Sequence, residues 1–192
     1  MLIALAQINP TVADFDGNVR RILDAAAQAA RRHAELVVYP EMAVLGYPPR
    51  DMVEKGSIVR ANIEALDRVA RSIPVPALVG FVARNESGKG LPIHNSVALV
   101  KDGAVAAVRH KRLLPTYDVF DEDRYFEPGP APEPIVFAGR RLGVTICEDA
   151  WAPVEPRHAF DPVRELGERG VDLLVNLSAS PFTLGKRKVR TD

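Results

Sequence analysis

Short apolar runs alternate with stretches of helical period along this chain. Leu2 to Ile8 is rich in Leu and Ile and has the length of a buried strand, and Asn9-Pro10 ends it. The period then changes. After Asp16-Gly17, residues Val19, Ile22, Leu23, Ala26 and Ala30 fall on one face of a helix, with Asp14 or Asp16 placed to cap its first amides. Leu36 to Tyr39 is a second buried strand, stopped by Pro40. Strand, helix, strand in that order predicts a parallel pair joined by a right-handed crossover. Residues 40–56 carry three prolines and two glycines and read as a loop. A second amphipathic helix follows from Ser57 to Ser72, then a strand from Ala77 to Val82.

The middle of the chain changes character. His94 to Val100 and Ala104 to His110 read as two strands joined at Lys101-Asp102-Gly103, a tight turn with glycine where positive φ is needed. Residues 112–133 are proline-rich and loop-like. Ile135 to Phe137 and Leu142 to Ile146 are strands around Ala138-Gly139-Arg140. A short helix at Asp161 to Glu168, a buried strand at Val171 to Leu177, a loop at Ser178 to Gly185 and a helix opening at Lys186 complete the chain. Helices alternate with strands at both ends and hairpins fill the middle. The expectation is an α/β protein with a mixed sheet, or two sheets packed on each other and covered by helices. The chain stops a few residues into its last predicted helix, so a fragment of a longer domain is expected.

Composition narrows the function classes. Hydrophobic residues make up 47% of the 192, enough for a sizeable core and too many for a disordered chain. Lys+Arg and Asp+Glu both number 25, so the whole chain carries no basic footprint for nucleic acid. Cys147 is the single cysteine, which excludes an internal disulfide and a multi-cysteine zinc site and fits a reducing, cytoplasmic setting. No apolar run reaches the roughly 18 residues of a membrane span.

Three residues stand where predicted strands stop: Glu41, Lys111 and Cys147. Open α/β sheets place ligands beyond the carboxyl ends of their strands. Each residue alone has a bland reading, as a loop carboxylate, a surface lysine and a small buried apolar residue. Together they describe a reaction centre. A thiol attacks a carboxamide carbon as its thiolate and needs a base to take its proton, which Glu41 can do. The oxyanion that forms is stabilised by a fixed ammonium such as Lys111 and by the backbone N–H after the cysteine.

Three stretches carry a family resemblance: Leu36-Val37-Val38-Tyr39-Pro40-Glu41, His110-Lys111-Arg112-Leu113-Leu114-Pro115 and Gly143-Val144-Thr145-Ile146-Cys147-Glu148-Asp149. They resemble the three catalytic segments of the nitrilase, or carbon–nitrogen hydrolase, superfamily. Cys147-Glu148-Asp149-Ala150-Trp151, the run from Tyr117 to Phe126, and Asn176 to Phe182 with Gly185-Lys186 narrow the likeness to the glutaminase domain of glutamine-dependent NAD(+) synthetases. The resemblance implies a nitrilase-like α-β-β-α sandwich with mixed sheets, incomplete at its C-terminus over residues 1–192. It implies Glu41 as general base, Lys111 as oxyanion residue and Cys147 as nucleophile. Glu122 would help hold the lysine and the substrate, and Tyr117, Ser180 and Lys186 would bind glutamine.

The implied reaction releases ammonia from glutamine through a thioester, with no metal or organic cofactor. The ammonia would serve an ATP-dependent synthetase domain acting on deamido-NAD with ATP and Mg. Nothing in the 192 residues resembles the Ser-Gly-Gly ATP loop of that domain. A homo-oligomer is also implied. Other readings stay open at this stage: an ω-amidase or carbamoylase acting on another amide, a cysteine–histidine hydrolase using His94, His110 or His158, and a fragment without catalysis that binds a partner.

Overall fold

The computed structural model describes residues 1–117, 120–152, 158–181, 184, 185 and 188. Two sheets face each other, with helices outside. The first has five strands in sequence order: β1 (Ile3–Leu5), β2 (Leu36–Val38), β3 (Ala77–Arg84), β4 (Ile93–Lys101) and β5 (Ala104–His110). β1, β2 and β3 are parallel, and β4 and β5 are antiparallel to their neighbours. The second sheet contains β6 (Ile135–Phe137), β7 (Arg140–Ile146) and β8 (Leu173–Leu177), with β7 and β8 parallel. The strand–helix–strand reading at the start of the chain therefore holds, as do the two central hairpins.

Period-two alternation explains the layering. Leu36 and Val38 on β2, Leu78 on β3, and Val97 and Leu99 on β4 pack against Ile135, Phe137, Leu142, Val144, Ile146, Val175 and Leu177 of the second sheet. The residues between them, including Val37, Val79, Phe81, Ala98 and Val100, face the other way onto α1 (Phe15–Arg31) and α2 (Gly56–Ser72). A strand buried on both faces is apolar throughout, so these segments read as continuous apolar runs. On the far side, α3 (Pro162–Glu168) brings Leu166 against the glycine-thin surface at Gly143. The layers are thus α-β-β-α.

The first predicted strand is shorter than the apolar run. It pairs over Ile3 to Leu5 only, lies at the edge of the sheet among the described residues, and leaves Leu2 and Leu5 exposed. The loop at 40–56 contains a single 3-10 turn at Arg50–Glu54. The helix expected from Lys186 lies largely outside the described residues.

Candidate active site

The ends of β2, β5, β7 and β8 meet at one edge of the sandwich. Glu41 lies on the turn after β2, Lys111 directly follows β5, and Cys147 directly follows β7. The turn that carries Glu41 is held on both sides. The chain at Pro40 to Met42 rests on Gly80 of β3 so closely that a Cβ there would stand 2.4 Å from Met42 N and 2.5 Å from Pro40 O. Asn18 of α1 binds Val44 O at 3.0 Å, fixing the other side of that turn. Two residues here take left-handed backbone, Met42 at φ 50° and Cys147 itself at φ 43°. Such strain costs about 1–3 kcal/mol per residue and persists where surrounding contacts over-determine it.

The three turns bring together a fully buried charge cluster. Lys111 Nζ donates to Glu41 Oε1 and to Glu122 Oε1, each at 2.8 Å, with the lysine 0% exposed. Tyr47 Oη also donates to Glu122 Oε1 at 2.8 Å. Glu122 Oε2 and Glu41 Oε1 share the side-chain amide of Asn95. The second oxygen of Glu41 turns elsewhere: Oε2 accepts from Ala179 N at 3.1 Å. The neighbouring Ser178 hydroxyl donates to Cys147 Sγ at 3.3 Å. Glu41 Oε2 and the thiol are therefore served by consecutive residues of one segment after β8.

Charge follows burial. Desolvation favours a neutral lysine, but the carboxylates of Glu41 and Glu122 outweigh it and hold Lys111 firmly as an ammonium. Burial pushes the Cys147 thiol up to about 12, with the Glu41 charge adding to it. Burial also raises Glu122, against the pull of Lys111. Burial thus favours the neutral thiol over the thiolate.

A second acid links the loops. Asp149 Oδ1 accepts from Arg112 N at 3.0 Å and Leu113 N at 2.9 Å, and Oδ2 accepts from Ile146 N at 2.9 Å. It joins the segment after Lys111 to the strand that carries Cys147. Burial pushes this carboxyl up to about 6. Beside it, the buried Glu148 carboxylate accepts from Tyr117 Oη at 2.8 Å and meets His158 Nε2 at 2.7 Å.

The residues expected from sequence separate as follows. Glu41 and Glu122 both bind Lys111, and the Cys147 sulfur lies within reach of these charges. Tyr117 reaches the same end through Glu148, and Ser180 is half-buried on the segment after β8, its N–H donating to Ser178 Oγ at 3.2 Å. Lys186 lies outside the described residues. The histidines go elsewhere: His94 and His110 stack at 4.1 Å on the far side of β4, and His158 binds Glu148. Among the described residues Cys147 takes its hydrogen bond from Ser178, not from a histidine. Sequence reasoning passed over Asn95, Ser178, Tyr47 and the clamp of Asp149. A visible sign was the polar triplet His94-Asn95-Ser96 inside an apolar strand.

Comparison with known proteins agrees with this geometry. The carbon-nitrogen hydrolase family profile matches residues 2–189. The chain belongs to the carbon–nitrogen hydrolase family. Among the relatives of this family member is the glutamine-dependent NAD(+) synthetase of Thermotoga maritima, 42% identical over 99% of this chain and 32% of that protein. The glutamine-dependent NAD+ synthetase of Acinetobacter baumannii, solved with ADP, superposes with a TM-score of 0.87 at 34% identity, covering 98% of this chain and 34% of that one. A mutant of the amidase from Nesterenkonia sp. AN1 carries the acetamide moiety of fluoroacetamide on its active-site cysteine; it is 26% identical with a TM-score of 0.73, over 92% of this chain and 64% of its own. The chain spans about a third of the length of the curated synthetases it matches.

Proposed function

We propose that this chain hydrolyses the side-chain amide of glutamine through Cys147 and supplies the ammonia to an ATP-dependent synthetase acting on deamido-NAD. The observation that carries the chemistry is the buried Lys111 bound by two carboxylates beside a lone thiol. The proton of Cys147 passes to Glu41 as sulfur bonds to the amide carbon. Negative charge gathers on the former carbonyl oxygen, facing the Lys111 ammonium and the backbone N–H after Cys147; each such donor contributes about 3 kcal/mol to transition-state stabilisation. Glu41 returns the proton to nitrogen, the C–N bond breaks and ammonia leaves. Water then attacks the thioester, Glu41 takes its proton, and glutamate departs as the sulfur regains a hydrogen.

Two lines support glutamine as the amide. The synthetases that resemble this chain are glutamine-dependent. The Glu148 carboxylate, one residue after the nucleophile and bound by Tyr117 and His158, puts negative charge at this end of the site, where an α-ammonium would pair with it. Ser180 and Lys186 would take the α-carboxylate. The covalent adduct on the active-site cysteine of the Nesterenkonia amidase supports a nucleophilic role for Cys147.

The test uses 6-diazo-5-oxonorleucine, a glutamine-shaped electrophile. Stoichiometric labelling of Cys147 that glutamine blocks, together with ammonia release from glutamine, is the expected result. Turnover of simple aliphatic amides as fast as glutamine would replace the reading with a general amidase. An unlabelled Cys147 would remove catalysis by this chain altogether.

A further inference from the structure

His94, Asn95 and Ser96 are buried polar residues in an otherwise apolar strand. Two of them serve the strand's own surroundings. His94 Nδ1 meets Glu127 O at 2.7 Å, and Ser96 Oγ meets His110 Nδ1 at 2.7 Å. Asn95 is different. Its Nδ2 donates to Glu41 Oε1 at 2.8 Å and to Glu122 Oε2 at 3.3 Å, and its main-chain oxygen accepts from Lys111 N at 2.8 Å. One side chain and its carbonyl thus touch all three members of the charge cluster.

The other end of the amide is informative. Asn95 Oδ1 is buried and lacks a hydrogen-bond partner among the described residues. A flipped amide would point that oxygen at two carboxylates and repel both. The carboxylates therefore set the orientation, and the amide gives up its acceptor to supply two donors. Packing alone has no need of this arrangement, because an apolar residue would fill the position without an orphaned oxygen.

We propose that Asn95 is a positioning residue: it holds Glu41 and Glu122 in register around the Lys111 ammonium, so that Glu41 keeps Oε1 on the lysine and presents Oε2 on the side of Ser178, Ala179 and the thiol. The inference rests on reading this site as a thiol hydrolase centre. Without the shared N–H pair, the two like charges around one lysine lose the link that sets their spacing, and the base loses part of its aim.

The decisive experiment compares Asn95→Asp and Asn95→Ser with the wild type, with folding checked by circular dichroism. Cys147 alkylation by iodoacetamide is followed across pH, beside glutamine kinetics. Asn95→Asp keeps the shape but turns an oxygen toward the two acids. It relieves the repulsion by holding a proton, and holds it better in mild acid. Its alkylation should fall about thirtyfold behind wild type near pH 8 and recover to within about fivefold near pH 6. Asn95→Ser replaces the two amide N–H donors by one shorter hydroxyl that cannot serve both carboxylates and adds no charge, so kcat should fall about tenfold with KM within about twofold. Folded variants whose alkylation profiles run parallel to wild type and within about threefold of it would overturn the proposal. If Asn95→Asp does not fold, Asn95→Ser decides alone by the same criteria. Absence of ammonia release by the wild type would sink the glutaminase reading, whereas alkylation needs only thiol and base and still decides on Asn95.

Discussion

Replacing Asp149 by alanine tests whether one buried carboxylate joins the two halves of the site. The change leaves the N–H groups of Arg112, Leu113 and Ile146 without their acceptor. The last two bonds are fully buried, and each unmet buried donor costs about 1–3 kcal/mol, so the loss should be about 2–6 kcal/mol. The carboxylate also carries a cost of its own. Burial raises it from 3.8 to about 6. A raised acid contributes stability in full below its unfolded value and loses that contribution as pH rises through its folded value. From acid to neutral pH, Asp149 thus weakens the wild type by about 3 kcal/mol. The alanine variant has nothing to titrate there. Its deficit should be larger near pH 4.5 than near pH 7, by about 2 kcal/mol.

Urea unfolding of both proteins, read by the fluorescence of the single tryptophan, Trp151, measures this at the two pH values. Groups common to both proteins cancel in the difference. A deficit that stays constant or grows toward neutral pH would refute the burial argument. A deficit below about 1 kcal/mol at both values would show that the three amides do not depend on the carboxylate.

The remaining predictions concern the edges of the site. Gly80→Ala drives a methyl into the backbone of Pro40 to Met42, so glutamine turnover should drop about a hundredfold through displacement of Glu41, and steady-state ammonia release reads it. Unchanged turnover in folded Gly80→Ala would mean that the turn can shift without moving the base. Tyr117→Phe removes the hydroxyl that donates to Glu148, and KM for glutamine should rise about tenfold with kcat nearly unchanged. A fall confined to kcat would take Tyr117 out of substrate binding.

Much of the fold was legible because its strands are buried on both faces or joined by short turns, and both leave local marks. The β4–β5 hairpin declared itself through Lys101-Asp102-Gly103, and the turn has Asp102 at φ 52° and Gly103 at φ 80°. The run at Leu2 to Ile8 misled on length because apolar density does not distinguish a central strand from an edge; among the described residues β1 pairs only with β2, and Leu5 is exposed. The site was legible to a different depth. Glu41, Lys111 and Cys147 announce themselves by standing at strand ends, but Glu122 lies in a proline-rich loop and became visible only through family likeness. Asn95 and Asp149 act on partners 54 and 36–37 residues away, and no local period encodes such a contact.

The hydrogen-bond inventory also separates the two glutamates, which sequence alone cannot rank by chemistry. Glu122 spends Oε1 on Lys111 and Tyr47 and Oε2 on Asn95, and among the described residues no hydrogen bond joins it to the segment that touches the sulfur. Glu41 spends Oε1 on Lys111 and Asn95, but Oε2 meets only the N–H of Ala179 among the described residues. A carboxylate oxygen has two lone pairs, so Oε2 retains one able to receive a proton. It lies on the side of Ser178, whose hydroxyl is already on the thiol. Lys111 cannot carry that proton, because two carboxylates keep its ammonium charged throughout. For the proposed reaction these contacts divide the labour: Lys111 would supply fixed positive charge, Glu122 would anchor it, and Glu41, among the described residues, combines a free lone pair with a place on the side of the thiol, which burial biases toward its neutral form.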